Sequence, residues 1–453
     1  MSSTVDYAVV VPTIGRASLW RLLNSLANAH GPQPAEVIVV DDRPNPEPLG
    51  PTPIPVRVLT SGGRGPAAAR NVGWRATECE WIAFLDDDVV VSPDWPERLA
   101  ADLARLDAKV AASKAKITVP LPTDRAPTDA ELGTAGLAQA EWITADMAYR
   151  RSALAEVGGF DERFPRAYRE DAELALRVMD QGLELTEGER STTHPVREQG
   201  FLASVRAQRG NTDDALLRHL VGAGWRERIG GQPGRLRWHV VTTGALVAAV
   251  GFGLAGLRRG GTGAGALAGR RAEALAGLRA GALSRRRTTA FVGRRAGVLG
   301  RSRATTLISK AAGALGGSRA TTLISKAAGA LGGTRATALV GRRAGAVVGQ
   351  LTSAVAGPRA GANARRRTAA LVGALAARQT AAGPGNPAWP RRAALVAGLV
   401  WAGLTAEFAA RRIRPGPRTP DEIARMVVTS VIIPPMACLH RLRGELRFWR
   451  VRR

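Results

Sequence analysis

Trp81-Ile82-Ala83-Phe84-Leu85-Asp86-Asp87-Asp88-Val89 decides the reading of this chain. Its apolar part is too short for a helix and reads as a buried strand. Three consecutive carboxylates follow at its C-terminal end. Adjacent carboxylates repel, so such a run needs a cation or a solvated turn to tolerate it. An Asp-x-Asp pair at a strand end can offer oxygen ligands to a hard divalent ion and leave room for a diphosphate. In open α/β sheets, ligands bind beyond the carboxyl ends of the strands, where this cluster lies. The plainer reading is an acidic turn that caps the next element, and the neighbouring sequence decides between the two.

Working outward, Tyr7-Ala8-Val9-Val10-Val11-Pro12 is another short apolar run, stopped by proline. It reads as a strand buried on both faces. Leu19, Leu22, Leu23 and Leu26 recur at helical spacing within residues 18–29. Glu36-Val37-Ile38-Val39-Val40-Asp41-Asp42 is a second buried strand that ends in carboxylates, and Val56-Arg57-Val58-Leu59 is a third, short one. The glycine-rich turn from Ser61 to Pro66 leads into a helix over residues 67–77. Strands alternating with helices predict an α/β fold with a mainly parallel sheet flanked by helices.

Four of these segments carry a resemblance. Val10-Val11-Pro12-Thr13-Ile14-Gly15-Arg16, then Val39-Val40-Asp41-Asp42, then Gly65-Pro66-Ala67-Ala68-Ala69-Arg70-Asn71-Val72-Gly73, then Phe84 to Asp88 resemble, in order and spacing, the family 2 glycosyltransferases of GT-A fold. The resemblance covers about residues 5–200, less than half of the 453. It implies that Pro12, Thr13 and Arg16 border the nucleotide, and that Asp42, with Asp41, contacts base or ribose. Asp86 and Asp88 would hold Mg²⁺ or Mn²⁺ against the diphosphate of a nucleotide-sugar donor, with Asp87 beside them. The leaving diphosphate gains negative charge, which a divalent cation stabilises. Arg64 and Arg70 could add charge there, although Arg70 reads first as a surface arginine on its helix.

Further on, Gly158-Gly159-Phe160-Asp161-Glu162 and Arg169-Glu170-Asp171-Ala172-Glu173 resemble the second half of the same fold. There the Asp of a Glu-Asp pair is the general base that takes the proton from an acceptor hydroxyl in an inverting displacement. Asp171 is that residue here, with Glu170 beside it. The plainer reading is N-terminal capping of a helix, and both can hold together. Asp146 stands where family members often carry Asn, which puts acceptor-side contacts in question. The resemblance also allows His194 as a further metal or diphosphate contact, although a lone histidine is more often structural.

Composition divides the chain. Residues 1–239 hold 28 basic and 33 acidic residues, whereas residues 240–453 hold 36 basic and 5 acidic ones. The overall +26 thus belongs to the second half and points there to an anionic surface. Two cysteines, Cys79 and Cys438, make no disulfide framework and fit a reducing compartment. The N-terminus shows no basic n-region followed by an apolar stretch, so residues 1–239 are expected to fold in the cytoplasm as the transferase domain.

Residues 240–257 carry no charge. As a helix they would span roughly 27 Å, marginal against a hydrocarbon core of about 30 Å. Residues 393–410 and 427–439 are two more apolar stretches, the last interrupted by Pro434-Pro435, and arginine clusters flank all three. Between the first two lies a basic, low-complexity insert, residues 258–392, rich in Arg, Gly and Ala. In it Ser302 to Gly317 recurs unchanged as Ser318 to Gly333. A hairpin of two spans would place this insert outside, against the positive-inside tendency. The expectation is therefore amphipathic or re-entrant segments held by anionic lipid at the cytoplasmic face of the cell membrane, with residues 393–453 as a second membrane-associating region.

The leading reading is a membrane-associated, metal-dependent inverting glycosyltransferase acting on a glycan or lipid-linked acceptor in cell-surface glycan or glycolipid synthesis. A nucleotidyltransferase should carry a glycine-rich, lysine-bearing phosphate loop near the first strand, and Val9 to Arg16 lacks one. A nucleic-acid partner for the basic tail is disfavoured because aromatic residues for base stacking are sparse there.

Overall fold

The computed structural model describes residues 5–231, 234–258 and 389–451. The repeat-bearing insert therefore lies almost wholly outside the described residues. The described chain groups into two compact units, one of residues 1–244 with 401–453 and one of residues 245–400.

The first unit is built on eight strands. They are β1 (Tyr7–Thr13), β2 (Glu36–Asp41), β3 (Arg57–Thr60), β4 (Trp81–Leu85), β5 (Val90–Val91), β6 (Val110–Thr118), β7 (Asp146–Arg150) and β8 (Glu184–Thr193). They form one sheet in the order β3-β2-β1-β4-β7-β6-β8-β5. The half from β3 to β4 is parallel, and β8 is also parallel to β6. β7 runs antiparallel to both β4 and β6, and β5 antiparallel to β8. The sheet is thus mixed: the expected parallel half is present, and the second half turns partly antiparallel.

The helices of the N-terminal part are α1 (Ser18–Ala27), α2 (Pro66–Arg75), α3 (Trp95–Ala104), α4 (Asp129–Ala135), α5 (Arg151–Val157), α6 (Glu170–Asp180), α7 (Ala203–Arg206), α8 (Gly210–Val221) and α9 (Trp225–Arg228). On one face of the sheet, Val9, Val11, Val37, Val39 and Ala83 pack with Leu19, Leu22, Leu23 and Leu26 of α1 and Leu99 of α3. On the other, Val10, Ile38, Val40, Ile82 and Phe84 pack with Ala67 and Trp74 of α2 and Leu174 of α6. Burial of both faces is why the central strands read as unbroken apolar runs. Gly73 lets α2 come close to the sheet, since a Cβ there would lie 2.3 Å from Val10.

Three longer helices follow: α10 (Leu236–Arg258), α11 (Trp389–Ile413) and α12 (Pro420–Phe448). Their 23, 25 and 29 residues are long and apolar enough to cross a membrane. The helices extend beyond the charge-free windows into their arginine flanks. α12 runs through Pro434 and Pro435, which the sequence had suggested as an interruption. The residues just before the prolines are held in place: Arg412 donates to Thr429 Oγ1 (2.7 Å) and Ser430 Oγ (3.2 Å), and both acceptors are buried.

The C-terminal half of α12 is not separate from the eight-stranded unit. Thr212 Oγ1 of α8 donates to the His440 carbonyl (3.0 Å), and Glu445 pairs with Arg218 and His219. Phe448 enters an apolar cluster with Phe164, Leu216, Leu217, Leu220 and Trp225. Arg412 of α11 reaches Asp129 at the start of α4 (2.8 Å). The second unit contributes the ends of α10 and α11, where Phe252 meets Trp389 edge-on at 5.2 Å between ring centroids.

Candidate active site

Because β1, β2 and β4 are parallel, their carboxyl ends emerge along one edge of the sheet. This places Thr13, Asp41-Asp42 and Asp86-Asp87-Asp88 side by side although they are far apart in sequence. β5 pairs Val90 with Thr193 at the end of β8. That pairing delivers the next residue, His194, to Asp88. One ligand atom each from Asp86, Asp88 and His194 lie within 4.8 Å of one another. Asp86 is partly exposed, Asp88 buried, and His194 Nε2 stands 3.6 Å from Asp88 Oδ2.

These donors fit a divalent cation. Two carboxylates and an imidazole suit Mg²⁺ or, with the nitrogen ligand, Mn²⁺. Asp88 Oδ2 is buried and accepts no well-formed hydrogen bond, although Arg197 and His194 both stand against it. Burial pushes the Asp88 carboxyl above its ordinary pKa range, and Asp86 adds to this, against His194 and Arg197. A cation would reverse that cost. Arg197 forms an ion pair with Asp88. The sequence reading missed this residue, although it lies in the same His194-Pro195-Val196-Arg197 segment.

Asp87 points away from this trio. It accepts from Thr13 Oγ1 (2.7 Å) and from Arg16 (2.9 Å). The middle carboxylate thus ties the β1 loop, with Pro12 at its base, to the acidic turn. Asp41 is held by its neighbour Arg43 at 2.6 Å, and Asp42 accepts from Ser61 Oγ (2.6 Å) and the Gly65 N–H (2.9 Å). Asp42 therefore shapes the loop before α2. Arg64, which projects from that loop, pairs with Glu162 (2.8 Å) rather than with the acidic turn.

Arg70 corrects the surface reading. It is 1 % exposed, and its guanidinium donates to Asp86 Oδ1 (2.7 Å) and to Glu170 Oε1 (2.9 Å). α2 lies on the sheet, so its arginine has no route to solvent and needs both carboxylates. Asn71 beside it bonds both ways with Phe160, donating from Nδ2 to the carbonyl and accepting the N–H at Oδ1, each at 2.9 Å. This holds the glycine turn that precedes Glu170. Gly159 has φ +79°, and a Cβ there would lie 2.4 Å from Asn71 Oδ1.

Glu170 and Asp171 open α6. Burial, then the charge of Asp171, raise the Glu170 carboxyl to about 8, against the pull of Arg70. Glu170 Oε2 is buried without a partner. Asp171 accepts its own helix's Ala172 N–H (2.7 Å). Burial also raises its pKa, against that bond and the charges of Arg70 and Arg169. A carboxylate lifted toward neutrality is a better proton acceptor than an ordinary one. Asp146, by contrast, lies wholly inside. It accepts from Arg190 Nε (2.9 Å), Trp95 Nε1 (2.6 Å) and Thr192 Oγ1 (2.5 Å). The departure at position 146 thus lies in the core of the sheet.

A mixed α/β sheet carrying an acidic turn on its fourth strand is a GT-A-like fold, and the resemblance read from the motifs stands. Residues 8–119 match the sequence model of glycosyl transferase family 2. Among curated proteins, the chain is similar to the pre-mycofactocin glycosyltransferases of two Mycobacterium tuberculosis strains, 30 % identical over 197 residues. That match covers 40 % of this chain and 40 % of those relatives. Similar solved structures include S. aureus TarS 1-349 in complex with UDP (TM-score 0.31, 19 % identity, 50 % of this chain and 70 % of that one). Another is GalNAc-T7 with UDP, GalNAc and Mn²⁺ (TM-score 0.35, 18 % identity, 43 % and 44 % covered).

Proposed function

We propose that this protein is a metal-dependent inverting glycosyltransferase that moves a sugar from a nucleotide-sugar donor to an acceptor hydroxyl. One observation carries the reading. Arg70 joins Asp86, a candidate metal ligand, to Glu170, the neighbour of Asp171, so the cation site and the candidate base belong to one bonded assembly. The family match and the M. tuberculosis relatives support glycosyl transfer.

Asp171 takes the proton from the acceptor hydroxyl as its oxygen attacks the anomeric carbon. The bond from that carbon to the diphosphate breaks on the opposite side, and the nucleoside diphosphate leaves with the electron pair. Asp86, Asp88 and His194 would hold Mg²⁺ or Mn²⁺, which supplies charge stabilisation to the leaving diphosphate. Pro12, Thr13, Arg16, Asp41 and Asp42 border the nucleotide on the same sheet edge. Arg64 and Asp87 act on that pocket through the loops they fix. The three long helices support membrane association. On this reading the enzyme works at the cytoplasmic face on a glycan or lipid-linked acceptor.

Calorimetry on the full chain in detergent tests this, with a panel of nucleoside diphosphates, with and without Mn²⁺, beside Asp88→Ala. Metal-dependent binding of one nucleotide that is lost in D88A is the expected result. A folded protein that binds none of them under any metal would overturn the reading.

A further inference from the structure

Arg169 is the only non-glycine residue with positive φ among the described residues, at +78°. It immediately precedes Glu170 and Asp171. A left-handed backbone at a residue with a Cβ is unfavourable and persists only where the surroundings impose it. Those surroundings are identifiable. Asp214 of α8 accepts from Arg169 Nε (2.9 Å) and from Tyr168 Oη (3.3 Å), and it also pairs with Arg226. Arg169 donates a second bond to Tyr168 Oη (2.8 Å). Its guanidinium lies over the rings of Tyr168 (4.5 Å) and Trp225 (4.8 Å). One residue earlier on α8, Asp213 holds Arg166 at 2.5 Å. Two consecutive aspartates of one helix thus grip both ends of the segment from Arg166 to Arg169. The other side of α8 is backed by α12, where Gly444 lies against Thr212 and Ala215.

We propose that Asp214 is a positioning residue for the catalytic base. By holding the Arg169 side chain it stabilises the left-handed turn that directs Glu170 and Asp171 into the site. This rests on the reading of Asp171 as base. Asp214 touches neither substrate nor the reacting atoms and acts through Arg169. Misplacing a reacting group by about 1 Å can cost on the order of a hundredfold in rate. Partial release of one turn should cost less.

The test uses the full chain and Asp214→Asn, which keeps shape and removes charge. Expected are a fall in kcat of about tenfold, donor KM within about twofold of wild type, and faster amide exchange in residues 165–172. In an Arg169→Gly background the left-handed turn carries no Cβ penalty, so adding D214N should lower kcat by less than about threefold. Arg169→Lys keeps the Cβ penalty but loses the forked bonds, so it should reproduce the D214N loss. It serves in place of D214N if that variant does not fold. A folded D214N with kcat and exchange unchanged, or an equal loss in both backgrounds, would overturn the proposal. A wild-type chain that transfers no sugar would refute the function instead. The exchange comparison would still decide whether Asp214 holds the turn.

Discussion

Arg70 and Glu170, 100 residues apart in sequence, meet in a buried hydrogen bond 2.9 Å long. The same guanidinium reaches Asp86, so one arginine stands between the acidic turn and the start of α6. Removing Arg70 leaves the Asp86 carboxylate uncompensated and the buried Glu170 carboxyl without its donor, and breaking a buried pair typically costs about 3–5 kcal/mol. Arg70→Met should therefore lower unfolding stability by that order and abolish activity. Denaturant titration of R70M, E170Q and the double variant checks this. Coupling below about 0.5 kcal/mol would mean that the two groups do not depend on each other.

Glu170 also gives a pH dependence. Its carboxyl is raised from an ordinary 4.5 to about 8 in the folded protein. The native state holds this proton more tightly than the unfolded chain does. The stability it contributes is present in full below the unfolded value and is lost as pH rises through the folded one. Between about pH 5 and pH 8.5 the wild type should lose melting temperature faster than E170Q, both measured in EDTA. Asp88 and Asp213 are raised as well, but they are common to both proteins and cancel in the comparison, whereas Asp171 is coupled to Glu170, so the difference reports the Glu170–Asp171 pair. Parallel curves would show that Glu170 is ionised in the native protein throughout.

Asp87 has a different role from its two neighbours. It holds Thr13 and Arg16, so Asp87→Asn should loosen the β1 loop and cost about 1–3 kcal/mol of stability. Donor KM should rise more than kcat falls, while Mn²⁺ affinity stays near wild type. Lost Mn²⁺ binding in D87N would place Asp87 among the ligands after all.

Arg197 and a cation compete for Asp88. The arginine is 47 % exposed, and exposed pairs are worth about 1 kcal/mol or less. Arg197→Ala should therefore tighten Mn²⁺ binding by about threefold, read from the free-ion paramagnetic signal. Weaker binding would assign Arg197 a supporting role at the site.

Much of this was legible in the sequence because the signals are local. Strands buried on both faces read as apolar runs, Leu19 to Leu26 showed their helical period, and the carboxyl ends of parallel strands gathered the motifs without further information. What escaped reading depends on contacts that no local pattern encodes. Arg70 is a candidate beside the acidic turn, but its burial is hidden until α2 is laid on the sheet and its two carboxylates arrive from distant segments. Asp87 differs from Asp86 and Asp88 only in which way the turn points it. Arg169 carries no mark in its residue type of a left-handed backbone. The arginine-rich end of α12 reads as part of a membrane-associating region, yet Gly444 and Phe448 seat it on α8.

That seat can be tested at one atom. A Cβ at Gly444 would lie 2.7 Å from the Ala215 Cβ and 2.9 Å from the Thr212 carbonyl oxygen. Neither neighbour is the end of a flexible side chain, so the helices must move apart. Overpacking of this kind costs about 1–3 kcal/mol. Gly444→Val should lower the melting temperature and expose Leu216 and Leu220, which share the cluster with Phe448. Because α8 also carries Asp213 and Asp214, amide exchange in residues 165–172 should quicken in G444V as well. Unchanged melting would show that the end of α12 lies on α8 too loosely to support it, and the C-terminal helix would then be a membrane element alone.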